Sequence, residues 1–439
     1  MHTKYKIQDT KYQGKKVVIM GLGLNAGGVG AARFFAELGA KVLATDLKDE
    51  KYLAASLKKL KGLPIKYILG RHRSVDFKKA GLIIKGPGVP NNSLYLKIAR
   101  AHKVPIDTDI GIFFKLCPAS IIGISGTKGK STAAYLTAKI LSQKNKVLLA
   151  GNIGTSVFEI LPKAKPGSLV VLELSSFELE GLKKHKKSPH VALLTNILRD
   201  HQDRYPNFKS YVAAKKLIFK FQDTNDVLFL NQNDKISRAF KKESPGQTFL
   251  YGLNDLKNRK FKALAPAIKK FPLHIRQNII AAASIALLFK IPAAAILKVI
   301  KNFKGLEGRQ ELAAEIKGIK FINDTCATMP DAAIAALKSL PSKKTILICG
   351  GTDKNLDFGE FARILPKFVK LAIFLPGSAT EKIKTLLPPF LIVEAVNMNE
   401  AARMAFKNAE RGDTVLLSPA AASFGLFKNE FDRGEKFKK

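Results

Sequence analysis

The segment Gly123-Ile124-Ser125-Gly126-Thr127-Lys128-Gly129-Lys130-Ser131-Thr132 has the residue types needed to grip a phosphate. Glycines let successive backbone N–H groups turn inward on an anion, and a helix starting just after them adds the positive end of its dipole. Lys130 would reach the β- and γ-phosphates of a nucleotide, and the Ser131 hydroxyl would hold Mg²⁺. The strict phosphate-loop pattern is missed by one place, because Ile124 stands where its first glycine belongs. An ordinary glycine turn before a helix is therefore the rival reading. A second loop, Gly21-Leu22-Gly23-Leu24-Asn25-Ala26-Gly27-Gly28, has the spacing of a dinucleotide fingerprint with Ala26 in the third place. Asp46 follows about 20 residues on, where an acid could bind a ribose hydroxyl. Read alone, this loop says nicotinamide cofactor. Any diphosphate, that of UDP included, would suit the same backbone, and a turn that only packs helix on sheet is the bland alternative.

Glu173 ends the apolar run Leu169–Leu172. An acid at a strand C-terminus can hold Mg²⁺ facing a phosphate loop; the alternative is a cap on the next helix. His201, in Asp200-His201-Gln202-Asp203-Arg204-Tyr205, could ligate a second metal, although lone histidines are more often surface residues. Lys215, in Tyr211-Val-Ala-Ala-Lys215-Lys216, reads by itself as a solvated helix lysine. Further along come Gly308-Arg309-Gln-Glu311, Asn323-Asp324-Thr325-Cys326-Ala327-Thr328, Gly350-Gly351-Thr352-Asp353-Lys354, and Leu417-Ser418-Pro419-Ala-Ala-Ala-Ser423-Phe424. Arg309, Lys354 and the hydroxyls of Thr328 and Ser423 would suit a carboxylate or phosphate ligand.

These loops need strands to carry them, and the pattern supplies three α/β stretches. The first has strands at Lys16–Met20 and Lys41–Thr45 around a helix through Ala31–Leu38. The second has strands at Ser120–Ile124, Ser168–Leu174, His190–Asn196 and Asp226–Leu230. The third has strands near Lys320–Ile322, Thr345–Cys349, Lys370–Phe374 and Thr414–Leu417. Breaks fall near Asp107–Gly111 and Asn302–Gly305. In doubly wound sheets ligands sit beyond the strand C-termini, which is where these loops fall.

With 439 residues, 46% of them hydrophobic, the chain can bury more than one core. Met1–Lys16 has no apolar core of signal-peptide type, and the apolar stretch Ile279–Phe289 is too short to span a bilayer, so a cytoplasmic protein without membrane insertion is expected. Cys117, Cys326 and Cys349 are scattered, with neither disulfide nor metal spacing. Lys+Arg total 74 against 35 Asp+Glu, a formal charge of +39. The lysines are spread along the whole chain rather than gathered into an arm, which argues for solvated surface charge over a nucleic-acid footprint. A positive field would also attract anionic nucleotide substrates.

In order along the chain stand Gly126-Thr-Lys-Gly-Lys-Ser-Thr132, Gly151-Asn-Ile-Gly154, Leu172-Glu-Leu-Ser-Ser-Phe177, Asp200-His-Gln-Asp-Arg-Tyr-Pro206, Asn323-Asp-Thr-Cys-Ala-Thr328, Gly350-Gly-Thr-Asp-Lys-Asn-Leu-Asp-Phe358 and Leu417-Ser-Pro-Ala-Ala-Ala-Ser-Phe424. This ordered set resembles the Mur ligase family, MurD type, over the whole chain. The resemblance implies an α/β protein of three domains: a Rossmann-like UDP-binding domain (1–109), a central P-loop-like ATPase with a mainly parallel sheet (110–303) and a Rossmann-like amino-acid-binding domain (304–439).

It further implies ATP-dependent addition of D-glutamate to UDP-N-acetylmuramoyl-L-alanine through an acyl phosphate, by a monomer. Leu24, Asn25, Asp46, Gly86, Pro87 and Gly88 would then surround UDP, with Asn152 and Ser175 on the muramoyl part or the reacting carboxylate. ATP would take Gly126, Thr127, Lys128, Gly129, Lys130, Ser131 and Thr132, with Asn278, Arg309 and Asp324 on the adenine, phosphate and ribose sides. Two Mg²⁺ ions would draw on Ser131, Glu173, His201 and a carbamylated Lys215; Thr328, Lys354, Ser423 and Phe424 would hold the glutamate. Lys130, Glu173, His201 and Lys215 form the implied catalytic set.

Four positions depart from the family pattern: Cys326 where many relatives have lysine, Glu178 for glutamine, Gly308 for histidine and Lys128 for asparagine. The first two leave addition of L-glutamate as an alternative. An NAD-dependent oxidoreductase would account for the first glycine loop and not for the second. A nucleic-acid-binding protein would account only for the charge.

Overall fold

The computed structural model describes residues 10–24, 26–201 and 204–439. Asn25 lies outside the described residues, so its expected contact with UDP has no structural counterpart here. The chain forms two compact units. One takes the residues up to Ile197 together with Val212–Ile268 and Gln277–Ile300; the other takes Leu198–Tyr211, Lys269–Arg276 and Lys301–Lys439.

The first unit holds two sheets. The N-terminal sheet contains β1 (Lys16–Met20), β2 (Lys41–Asp46), β3 (Ile65–Leu69), β4 (Leu82–Lys85) and β5 (Ile106–Asp107), in the order β3-β2-β1-β4-β5 with every pairing parallel. This is a Rossmann-type order, with the switch point between β1 and β4. The central sheet contains β6 (Ser120–Ser125), β7 (Val147–Gly151), β8 (Leu169–Glu173), β9 (Val191–Leu194), β10 (Val227–Asn231) and β11 (Gln247–Tyr251). Its order is β11-β10-β9-β6-β8-β7, again parallel throughout.

The second unit is built on β12 (Glu311–Ile316), β13 (Ile319–Asn323), β14 (Thr345–Gly350), β15 (Val369–Leu375), β16 (Ile392–Glu394) and β17 (Thr414–Leu417). Their order is β12-β13-β17-β14-β15-β16, parallel except for the β12–β13 hairpin. The interior strands β8, β9, β10, β14 and β17 are buried at every residue, because helices cover both faces of a parallel sheet.

Helices follow the strands as expected, with shifted ends. The helix expected over Ala31–Leu38 runs Ala26–Glu37, starting inside the glycine loop. It can do so because Gly28 lies against backbone: a Cβ there would run into the carbonyl oxygens of Leu22 and Gly21. Gly28, rather than Ala26 in the fingerprint's third place, is the residue that allows this close approach. The apolar stretch Ile279–Phe289 belongs to the helix Leu273–Leu288, and no helix among the described residues is long and apolar enough to cross a membrane.

Within the first unit the N-terminal and central sheets share packing through aromatic rings. Phe34, fully buried on the helix Ala26–Glu37, stacks on Phe158 at 4.1 Å between centroids with 6° between planes. Gly30 of the same helix lies directly against the Ser156 side chain. Phe34→Ala should destabilise the first unit by about 3–5 kcal/mol, the usual cost of emptying a buried aromatic site. Urea denaturation followed by fluorescence or circular dichroism checks this.

Candidate functional site

The phosphate loop sits between β6 and the helix Lys130–Leu141. Gly126 and Gly129 take positive φ, 140° and 82°, and Gly129 serves as N-cap. Both are crowded: a Cβ on Gly126 would strike Thr195 Oγ1, and one on Gly129 would strike the Asn278 amide. Asn278 is thus held against the loop, where the sequence placed it. Thr195 and Asn196, just after the neighbouring strand β9, clamp the loop. Thr127 N donates to Asn196 O at 2.8 Å, Lys128 N to Asn196 Oδ1 at 2.9 Å, and Thr195 Oγ1 to Lys128 O at 2.6 Å. With those two loop amides turned onto Asn196, donors for a phosphate come from the helix N-terminus. Lys130 Nζ donates to Thr127 O at 2.9 Å, across the mouth of the loop.

Lys215 does not behave as a solvated helix lysine, which corrects the reading from its residue type alone. It is 2% exposed, and its ammonium donates to Gly126 O at 2.9 Å and Ser125 Oγ at 3.2 Å. An amphipathic pattern cannot reveal this, since the next residue, Lys216, takes the solvent side and pairs with Glu243.

Glu173 ends β8 beside Ile124 of β6 and is 1% exposed. Its Oε1 accepts from Asn152 Nδ2 at 3.2 Å, while Oε2 is buried without a hydrogen-bond partner. Glu173 does not cap the next helix. Ser175 and Glu178 do, in a capping box: Ser175 N donates to Glu178 Oε2 at 2.6 Å and Glu178 N to Ser175 Oγ at 3.2 Å. A buried carboxylate oxygen left unpaired is costly, and a hard cation would satisfy it. Oxygen donors of the Glu173 and Ser131 kind therefore fit Mg²⁺. Among the described residues no cluster of three or more His, Cys, Asp or Glu side chains gathers as a self-sufficient metal site.

A cavity of about 480 Å³ opens at the C-terminal end of the N-terminal sheet. Leu24, Asp46, Gly86, Pro87 and Gly88 line it as expected, together with Lys48, His72 and Tyr95. Asn152 and Ser175 are not among its lining residues. Asp46 does not simply face a ribose. Its Oδ2 accepts from Gly23 N and its Oδ1 from Lys48 N, both at 2.9 Å, so it also shapes the glycine turn. Lys85, buried at the end of β4, spans the Gly-Pro-Gly turn by donating to Val89 O at 3.1 Å.

In the second unit the loops after β13, β14 and β17 lie side by side because those strands are neighbours. Asp324 ties the loop after β13 to the loop after β17 and to the residues just before β12: Oδ2 accepts from Ser418 Oγ at 2.9 Å and Oδ1 from Gln310 N at 3.2 Å. Lys354, on the loop after β14, pairs with Asp200 at 2.9 Å, with both side chains largely buried. His201 takes φ of 54°, its backbone N donates to Asp200 Oδ1 at 2.9 Å, and its Nε2 stands 3.7 Å from Asp200 Oδ2. Ser423 is buried and Phe424 is 61% exposed, while Thr352 Oγ1 donates to Phe424 O at 2.6 Å. Arg309 and Thr328 are half-buried on the loops before β12 and after β13.

Sequence reasoning missed Arg433. It lies 1% exposed on the helix Glu430–Lys438 and donates to Thr325 Oγ1, Thr325 O and Ala421 O at 3.1, 2.8 and 3.2 Å. Burial lowers its guanidinium to about 10. Nothing in the basic C-terminal run marks this arginine out from its lysine neighbours.

Family sequence models match three segments: a Mur ligase MurD-like N-terminal domain over residues 15–108, a Mur ligase middle domain over 124–288 and a Mur ligase glutamate ligase domain over 308–421. The chain is 38% identical over 457 residues to a UDP-N-acetylmuramoylalanine–D-glutamate ligase of Roseiflexus, covering 97% of this chain and 98% of the relative. It is 38% identical over 445 residues to a protein of the same name from Borreliella afzelii, covering 96% of each. The chain belongs to the MurD-type Mur ligases. Solved structures share the fold: the UDP-N-acetylmuramate–alanine ligase MurC of Thermotoga maritima at TM-score 0.60 and 19% identity (96% of this chain, 98% of that one), and MurF of the same organism, in complex with ADP, at 0.59 and 13% (98% and 97%).

Within this Mur ligase the departure at Glu178 has a measurable consequence. Burial pushes its carboxyl up to about 8, and the charges of Asp109 and Glu173 add to the shift. The folded protein therefore holds that proton more tightly than the unfolded chain, whose ordinary value is 4.5. Stability from this group is complete below about 4.5 and is lost as pH rises through about 8. Glu178→Gln keeps an acceptor for Ser175 N and cannot ionise. It should gain stability over the parent progressively from pH 5 to pH 8.5, which denaturation midpoints at those pH values will read.

Proposed function

We propose that the chain catalyses ATP-dependent formation of an amide bond between D-glutamate and UDP-N-acetylmuramoyl-L-alanine, releasing ADP and phosphate, as a step in peptidoglycan precursor synthesis. The observation that carries this reading is the end-to-end similarity to D-glutamate ligases named for that reaction. The proposed domains are 1–109 for the nucleotide sugar, 110–303 for ATP and 304–439 for the amino acid, consistent with the three matched segments.

A carboxylate resists attack by an amine because its oxygen is a poor leaving group. Transfer of the γ-phosphoryl group onto it gives an acyl phosphate, which the glutamate amine attacks; the tetrahedral intermediate collapses to amide and phosphate. Gly126, Thr127, Lys128, Gly129 and Thr132 shape the loop that grips the triphosphate. Lys130 leaves Thr127 O to reach the phosphates, where its charge offsets what develops on the transferring group. Ser131 and Glu173 would hold Mg²⁺, Glu173 through its unpaired Oε2, with His201 and a carbamylated Lys215 for a second ion; carbamylation would replace the ammonium's hold on Gly126 O and Ser125 Oγ by a carboxylate. When bound, the metal supplies positive charge to the phosphoryl oxygens.

Asn278, Arg309 and Asp324 serve the nucleoside and phosphate sides of ATP. Leu24, Asp46, Gly86, Pro87 and Gly88 take the UDP moiety, and Asn152 and Ser175 would contact the muramoyl part or the reacting carboxylate. Thr328, Lys354, Ser423 and Phe424 hold the glutamate, Lys354 exchanging its pairing with Asp200 for a substrate carboxylate.

The test supplies UDP-N-acetylmuramoyl-L-alanine, ATP and Mg²⁺ with D- or L-glutamate in separate reactions and follows released phosphate. Turnover is expected with D-glutamate, and turnover with L-glutamate alone would overturn the amino-acid assignment. Lys130→Ala and Glu173→Ala should each lower kcat by about 100-fold or more while the protein stays folded by circular dichroism. Near-normal rates in either variant would overturn the roles given to these residues.

A further inference from the structure

The cavity over the N-terminal sheet has two chemically different ends. One is the glycine turn and the start of the helix Ala26–Glu37, where backbone amides suit a phosphate. The other is a corner of rings. His72 meets Tyr95 at 4.9 Å between centroids, and Phe77, fully buried, lies 5.7 Å from His72 and 5.1 Å from Tyr95. His72 and Tyr95 line the cavity. A planar apolar-faced base belongs at that end.

His72 is 9% exposed, and its Nδ1 lies 2.8 Å from Thr45 Oγ1. The Thr45 hydroxyl has one proton and donates it to Arg71 O at 3.2 Å. With the hydroxyl proton so placed, the imidazole is the donor in the shorter contact, its proton sits on Nδ1 and Nε2 keeps a lone pair. That atom carries no hydrogen bond among the described residues, and its ring lines the cavity. Burial also lowers the ring's pKa below the ordinary 6.5, outweighing the pull of Asp46, and so keeps the imidazole neutral.

We propose that His72 selects the base of the nucleotide sugar: its Nε2 accepts a hydrogen bond from the N3–H of a uracil ring and disfavours cytosine, whose N3 is itself an acceptor. Thr45 is the positioning residue that fixes the tautomer. The inference rests on reading this cavity as the nucleotide-sugar site.

The test measures dissociation constants for UDP and CDP by calorimetry on the full chain. The parent protein should bind UDP roughly tenfold or more tightly than CDP, because a site built around one buried hydrogen bond rejects the analogue that cannot make it. His72→Phe keeps the ring packing and should erase the preference by weakening UDP alone, while His72→Gln, which restores an acceptor, should recover part of it. Thr45→Val frees the imidazole to carry its proton on Nε2, where it can donate to cytosine N3, and should move the ratio toward CDP. The Thr45→Val variant decides the matter even if His72→Phe does not fold. No preference in the parent, or an unchanged ratio in folded His72→Phe or in Thr45→Val, would overturn the role of His72. Failure of the parent to bind either nucleotide would overturn the reading of the cavity itself, and the inference with it.

Discussion

The contact between the Lys215 ammonium and the Gly126 carbonyl is the constraint on which the central site depends. An ammonium withdrawn from water costs several kcal/mol unless its protons find acceptors. Here the loop's own backbone and Ser125 provide them. The phosphate loop is thereby gripped from two sides, by Lys215 on one and by Thr195 and Asn196 on the other. A glycine-rich loop is otherwise the most mobile backbone a chain can make, because glycine gives up the most conformational freedom on ordering. Fixing its carbonyls leaves the helix N-terminus to meet a phosphate, with Lys130 resting on Thr127 O at the loop, which is what a site for a transferring phosphoryl group requires.

The same economy appears over the N-terminal sheet. Asp46 stands where a nicotinamide enzyme keeps its ribose acid, and it turns partly inward to hold Gly23 N. The loop's conformation is thus set by a side chain of the adjacent strand. Lys85 does likewise for the Gly-Pro-Gly turn, and Thr45 for the ring of His72. In the second unit Asp324 and the buried Arg433 play these parts, joining the loops that follow β13 and β17, with Asp324 also holding Gln310 N just before β12. Each recognition loop is held by a residue that need not touch substrate. Asp46 and Asp324 were legible as candidate ligand residues, whereas Lys85, Thr45 and Arg433 escape a search for reactive side chains.

What the sequence determined by itself was the set of buried interior strands and the loops that follow them. Every strand legible beforehand, among them Lys16–Met20, Leu169–Glu173 and Thr414–Leu417, lies inside its sheet. Such strands are covered on both faces and read as unbroken apolar runs. The edge strands β3, β5, β7, β11, β12 and β16 went unread: charged residues interrupt Ile65–Leu69 and Glu311–Ile316, and β5 and β16 are only two or three residues long, whereas β7 and β11 are uncharged five-residue strands that neither reason covers. Interior β4 also escaped, being four residues long and ending in a lysine. Phosphate-binding glycines were legible because chemistry restricts that backbone to few residue types. Only the tertiary structure could decide that Lys215 is buried while Lys216 reaches solvent, that Arg433 is structural, and that Thr45 sets its hydroxyl against the ring of His72. These are properties of what surrounds a side chain, and the same residue letter serves equally well in water or in a core.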